Sequence, residues 1–132
     1  MTPLRLGATV LYVADVAASV EFYRRALGLE PRFYDETTGF AELGPDGFLA
    51  VASHEAGEMM MPGAYPNPRS GRPTGVEIAF YTDDVPAAFA RAVAAGGHPL
   101  ADPRLMPWGQ MVSYVQSVDG TILGLLTPPA GT

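Results

Sequence analysis

The sequence predicts an α+β fold in which two tandem βαβββ modules form a curved mixed sheet around a cavity. Three observations carry this expectation. A strand, a cap and a helix at residues 7–29 recur after residue 75; each copy ends in two apolar strand segments around a tight turn; and 132 residues with 48% hydrophobic content suit one core.

Thr9 to Val13 is β-branched and apolar, and Asp15 follows as an N-cap whose carboxylate can accept free backbone N–H groups of the next turn. Val16, Val20, Tyr23 and Leu27 then recur at helical spacing on one face, with Glu21, Arg24 and Arg25 elsewhere, until Gly28 ends the helix. Arg32 to Tyr34, Gly39 to Leu43 and Phe48 to Ser53 are short strand candidates, the last two joined by the turn "GPDG". Residues 55–74, with "EMMMPGAYPNPRSGRP", have no period and are crowded with proline and glycine, so they read as a linker or lid.

The grammar then repeats. Asp84 stands 69 positions after Asp15, with Val85, Phe89 and Val93 as the second apolar stripe, Pro86 in the first turn and Gly96–Gly97 at the end. "MVSYVQSVDGTILGLLTP" supplies two apolar strands around "SVDG", and Gly120 stands 73 positions after Gly47, so four extra residues fall near "ADPRLMPWG". A small sheet with one helix on it is unstable with its other face bare, which is why two modules are expected to pair. The expected organisation is a single domain over 1–132: a first module at 4–54, the linker at 55–74 and a second module at 75–128.

Composition narrows the function. Zero cysteines exclude disulfides, thiolate metal sites and a cysteine nucleophile. The net charge of −6 comes from scattered acidic residues, which disfavours nucleic acid and tolerates a cationic ligand. No export or membrane segment is evident, so a cytoplasmic protein is expected. Neither a phosphate-binding glycine loop nor a G-x-S-x-G elbow occurs, and Asp84 of the Asp83–Asp84 pair serves better as a helix cap than in acid–base work.

The runs "YVADVAASVEFYRRALGL", "AFYTDD" and "PWGQMVSYVQSVDGTILGLLTP" resemble the vicinal oxygen chelate superfamily, which includes glyoxalases, extradiol dioxygenases and fosfomycin- and bleomycin-resistance proteins. The resemblance implies paired modules, dimers, and an inner sheet face where metal-using members hold a divalent ion with His and Glu side chains from four strands. Carried over residue by residue, those four slots are Ala8, Val51, Glu77 and Gly124. A divalent ion needs several oxygen or nitrogen donors at roughly 2.0–2.6 Å, so Glu77 alone makes no site and neither a metal nor another cofactor is expected. His54 and His98 lie off the parity of the slots and read as bystanders, and Glu55 and Glu58 beside His54 read as part of a polar loop.

With those slots inward, strand alternation also turns Val10 and Tyr12, Ala79 and Tyr81, and Ile122 and Leu126 inward. Tyr114 matches a pocket tyrosine of fosfomycin-resistance relatives, with packing in the core as the competing role. Trp108 suits a cavity rim where a planar or cationic guest stacks, again against core packing. Met59, Met60, Met61 and Tyr65 either touch a ligand or hold the linker down, and Arg69 and Arg72 are solvated. The candidate ligand-binding residues are therefore Tyr12, Met60, Tyr65, Glu77, Tyr81, Trp108 and Tyr114, with Glu77 the partner of a cationic group. The expected function is metal-free sequestration of an aromatic or cationic natural product by a homodimer of the bleomycin-resistance type, an antibiotic-resistance role without bond chemistry. The alternative is a metal-dependent or Glu77-based lyase, isomerase or dioxygenase of the glyoxalase type.

Overall fold

The computed structural model describes residue 3 and residues 6–67 and 75–129. Strand β1 (Thr9–Val13) leads into helix α1 (Val16–Leu27), followed by β2 (Pro31–Asp35), β3 (Phe40–Leu43) and β4 (Leu49–Ser53). A short helix α2 (His54–Met60) opens the connection, and β5 (Glu77–Tyr81), α3 (Val85–Ala94), β6 (His98–Leu105), β7 (Met111–Gln116) and β8 (Ile122–Leu126) repeat the order. The two tandem βαβββ modules are thus present. The linker differs from a bare loop, since its first residues, including Glu55 and Glu58, are helical; Arg69 and Arg72 lie outside the described residues.

Local chemistry sets the helix ends. The Asp15 carboxylate accepts from the Ala18 N–H at 3.0 Å and the Asp84 carboxylate from the Ala87 N–H at 3.1 Å, so the repeated aspartates cap α1 and α3 alike. Gly28 ends α1 at φ 70°, in the left-handed region where a side chain would be strained. Ser53 caps α2, its hydroxyl accepting from the Ala56 N–H at 3.0 Å.

Each module forms its own four-stranded mixed sheet, ordered β1-β4-β3-β2 and β5-β8-β7-β6, with the first and last strands of the module parallel and the other neighbours antiparallel. The second sheet ends on β6, the strand that the repeated βαβββ order requires after α3 but to which no residues had been assigned; it contains Pro99 and Pro103. An edge strand accommodates prolines, and β6 slips register twice along β7.

Within the chain the modules meet through their helices, α1 against α3. The expected stripe of Val16, Val20 and Tyr23 is buried, but so are Ser19, Phe22 and Ala26, because α1 packs on its own sheet and against the second module at once. Arg91 of α3 donates from Nε to the Arg25 carbonyl at 2.8 Å, tying α3 to the end of α1. Leu11 and Val13, Ala41 and Leu43, Leu49 and Val51, Ile78 and Phe80, Val115, and Leu123 and Leu125 all point into this helical layer. Strand alternation therefore sends Val10, Tyr12, Ala50, Ala52, Glu77, Ala79, Tyr81, Tyr114, Ile122, Gly124 and Leu126 to the opposite, open faces. Val51 corrects the sequence reading. It is fully buried on the helical side, so the inward positions of β4 are Ala50 and Ala52.

The module junction is closed by a polar cluster on the β7–β8 turn. The Asp119 carboxylate accepts from the Ser19 hydroxyl at 3.0 Å, from the Tyr23 hydroxyl at 3.4 Å, from the Thr121 N–H at 3.1 Å and, closely, from the Ser117 hydroxyl. Tyr23 is fully buried, and Asp119 satisfies a phenol that would otherwise pay the full cost of desolvation. No helix among the described residues is long and apolar enough to cross a membrane.

Candidate functional site

A cavity of about 420 Å³ opens along the free edge of β1. One wall is β1 itself, from Thr9 to Val13; a second is the start of α1, with Asp15, Ala18 and Ser19; a third is the linker, with His54, Met61, Tyr65 and Pro66. Val76 and the β7–β8 turn, Val118 to Thr121, close it from the second module.

Tyr65 organises the linker wall. Its ring lies edge-on to Tyr12, with centroids 5.2 Å apart and planes at 61°. Its hydroxyl is 2.6 Å from Nδ1 of His54. The same ring covers Gly57, where a Cβ would come within 2.5 Å of it, so α2 keeps a glycine at its centre because the tyrosine packs there. Burial, and after it the neighbouring Tyr12, Glu55 and Glu58, raise the Tyr65 phenol above its ordinary range. The hydroxyl therefore keeps its proton near neutrality, within hydrogen-bond distance of the His54 ring. This corrects the reading of His54 as a bystander. It starts a helix and lines the cavity, and only the fold brings it to Tyr65.

Among the described residues, the charged side chains lining the cavity are Asp15 and Asp119, and none of the lining residues is a lysine or arginine. One Asp15 oxygen caps α1, while Asp119 is occupied by the junction cluster. The walls are mostly apolar, with two tyrosine rings and two carboxylates at the side of α1 and the turn.

The predicted residues fall into separate groups. Tyr12 and Tyr65 meet in the cavity, whereas Met60 points away from it at 70% exposure and Met61 takes the place in the wall. Glu77, Tyr81 and Tyr114 share the open face of the second sheet: Glu77 pairs with Ile122, Tyr81 with Leu126 and Tyr114 with Gly124. The Glu77 carboxylate lies over Gly124, in the space a side chain there would need. Tyr81 and Trp108 are 60% and 63% exposed, and the Trp108 indole donates to the Gln110 side chain at 3.0 Å.

The positions where the resemblance implies a divalent metal carry few donors. The slots hold Ala8, Ala50 or Ala52 in place of Val51, Glu77 and Gly124, which together offer one carboxylate. Among the described residues no group of three or more His, Cys, Asp or Glu side chains is placed to hold an ion. This donor set does not fit a resident divalent cation, which takes several donors.

A family model described as the Glyoxalase/Bleomycin resistance protein/Dioxygenase superfamily matches residues 5–125. Among solved structures, a glyoxalase-related enzyme from Fulvimarina pelagi is 24% identical with a TM-score of 0.79, over 94% of this chain and 88% of that one. A glyoxalase/bleomycin resistance protein/dioxygenase family enzyme from Burkholderia phytofirmans PsJN is 17% identical with a TM-score of 0.77, over 94% and 98% of the two chains. A glyoxalase/bleomycin resistance protein/dioxygenase from Nocardioides is 23% identical with a TM-score of 0.74, over 100% and 88%. At these identities the likeness establishes the fold. No curated protein matches the sequence.

Proposed function

The chain belongs to the glyoxalase/bleomycin resistance protein/dioxygenase superfamily, and from that premise we propose that it binds and sequesters a small aromatic or cationic natural product without bond chemistry. The observation that supports this reading is the lining of the β1 cavity among the described residues: the Tyr12–Tyr65 pair, aliphatic walls, two carboxylates and no described lysine or arginine. Its volume lies in the range of about 300–1,000 Å³ usual for small-ligand sites. A planar cation stacked on tyrosine gains about 0.5–2 kcal/mol per ring as water is excluded. The negative charge of the walls favours the same guest. Glu77, with Tyr81 and Tyr114, gives the second module's open face the same acidic and aromatic character. A second copy of the chain covering that face accounts for its exposed aromatic residues, so the reading includes a cytoplasmic homodimer.

The test is titration of purified protein with proflavine, a planar cationic tricycle, followed by calorimetry. Saturable binding at one molecule per chain is expected, weakened about 2- to 30-fold in Tyr12→Ala, the factor that 0.5–2 kcal/mol corresponds to. Equal affinity for an anionic tricycle such as fluorescein would overturn the reading. So would a stoichiometric, tightly held divalent metal in protein purified without chelator.

A further inference from the structure

Resting on the reading of the second module's open face as an acidic and aromatic binding surface, we propose that Glu77 takes a planar amidinium or guanidinium group there, carried by an aryl ring that lies along Ala79 against Tyr81. The register of the second sheet carries the argument. Ala79, Gly124 and Tyr114 stand in one row across β5, β8 and β7. Glu77 and Tyr81 flank Ala79 along β5, two residues to either side, so all three point to the same open face. The row is therefore a groove floored by one alanine and one glycine, with Tyr114 at its end. Ala79, Glu77 and Tyr81 are exposed, and the groove is open where β5 forms it.

The Glu77 carboxylate leaves its own row. It reaches across to Gly124 and occupies the space that a Cβ there would fill, with a Leu126 methyl group bordering the same space. The charge thus lies on the groove floor, at the depth of a Cβ. Among the described residues no hydrogen bond or ion pair holds it, and the Tyr114 hydroxyl has no partner either. A carboxylate so placed meets a flat group that slides along the floor, and an amidinium or guanidinium offers it parallel N–H donors. A quaternary ammonium has no N–H, and its methyl groups hold its charge away from a carboxylate sunk to the floor. From Ala79 to Tyr81 is about 6.6 Å along the strand, a span that one phenyl ring covers, so a ring attached to the cation reaches the exposed tyrosine. In the homodimer proposed above, a second copy over this face leaves a hollow here, because alanine and glycine form the floor.

The probes are benzamidine, its neutral analogue benzamide, and benzyltrimethylammonium, each titrated into the purified protein by NMR with the Gly124 amide and the Tyr81 ring signals as reporters. Benzamidine is expected to shift both reporters and to bind about tenfold or more tighter than either of the other two. Glu77→Gln, a change at an exposed and unpaired side chain, should weaken benzamidine by about tenfold or more. Gly124→Ala keeps the carboxylate but puts a Cβ in its place on the floor. The preference for benzamidine over the quaternary cation should shrink accordingly. Equal affinity of the two cations for the wild type overturns the proposal, as does an undiminished preference in Gly124→Ala. Benzamidine binding that ignores Glu77→Gln, with proflavine still bound and weakened by Tyr12→Ala, overturns this inference and leaves the function proposed above intact. Amidine binding through Glu77 without proflavine binding does the opposite, placing the guest on this face alone.

Discussion

Replacing Gly57 with alanine sets two effects of opposite sign against each other. In the middle of a helix, glycine to alanine is ordinarily stabilising by about 1 kcal/mol. At this position the new Cβ would lie 2.5–2.8 Å from three atoms of the Tyr65 ring, closer than carbon atoms approach. Tyr65 stands at the end of a flexible side chain and must leave. Departure gives up the edge contact with Tyr12, worth about 0.5–1.5 kcal/mol, and the hydrogen bond to His54, worth about 1 kcal/mol. The losses total about 1.5–2.5 kcal/mol against the gain of about 1, so Gly57→Ala is expected to lower stability by about 0.5–1.5 kcal/mol, a few degrees in Tm for a domain of this size. Urea unfolding measures the net change and the aromatic NMR signals of Tyr12 report the ring. Proflavine affinity falls as well, because the linker wall has moved. A variant more stable by the full helix-propensity gain, with the Tyr12 signals unchanged, would refute the docking of Tyr65 on α2.

Further outcomes follow from the module junction. Burial, and after it the charge of Asp119, raise the Tyr23 phenol above its ordinary value near 10. Below pH 10 both folded and unfolded chains hold this proton, so its contribution is constant; above it the unfolded chain releases the proton first and stability falls. The wild type should lose about 1.4 kcal/mol more per pH unit above pH 10 than Tyr23→Phe does, measured by urea unfolding across pH 9–11, and parallel profiles would refute the assignment. Asp119→Ala leaves the Tyr23 and Ser19 hydroxyls without their acceptor and should cost about 1–3 kcal/mol. An unchanged urea midpoint would show that the β7–β8 turn does not hold the modules together.

The repeated cap, helix and turn made the fold legible because each has a local cause: a carboxylate at Asp15 and Asp84, a left-handed glycine at Gly28, a stripe at helical spacing. Where the cause was not local, the sequence misled. The run Leu49 to Ala52 is buried on both faces, so it lacks the polar alternation that would tell an inward residue from an outward one, and Val51 was assigned to the wrong side. The repeat required β6 but not its bounds, and its two prolines, tolerable because the strand lies at the sheet edge, blur them. α2 is seven residues long, too short for a periodic signal, in a stretch rich in punctuation. His54 gained a role through Tyr65, eleven residues away, and that encounter depends on how the linker folds back. Tyr12 was placed on the open face of β1 by its parity with Ala8, and the sheet register puts it there.

The repeat also explains why the two modules present different surfaces. Tyr81 stands 69 positions after Tyr12, the same spacing as the caps, and Glu77 stands 69 after Ala8. Both tyrosines occupy the open face of the first strand of their module. Tyr12 is half-buried against Tyr65, whereas Tyr81 is 60% exposed. The difference comes from the linker: α2 leans on β4 and β1. The β1 cavity is therefore a property of residues 54–66 laid on a module. Selectivity among guests should change with substitutions in this segment while the repeated framework stays intact. The family slot that retains its carboxylate, Glu77, belongs to the face the segment leaves uncovered. Acidic recognition on that face and aromatic recognition in the cavity can consequently vary independently, since no described hydrogen bond joins Glu77 to the Tyr12–Tyr65–His54 group.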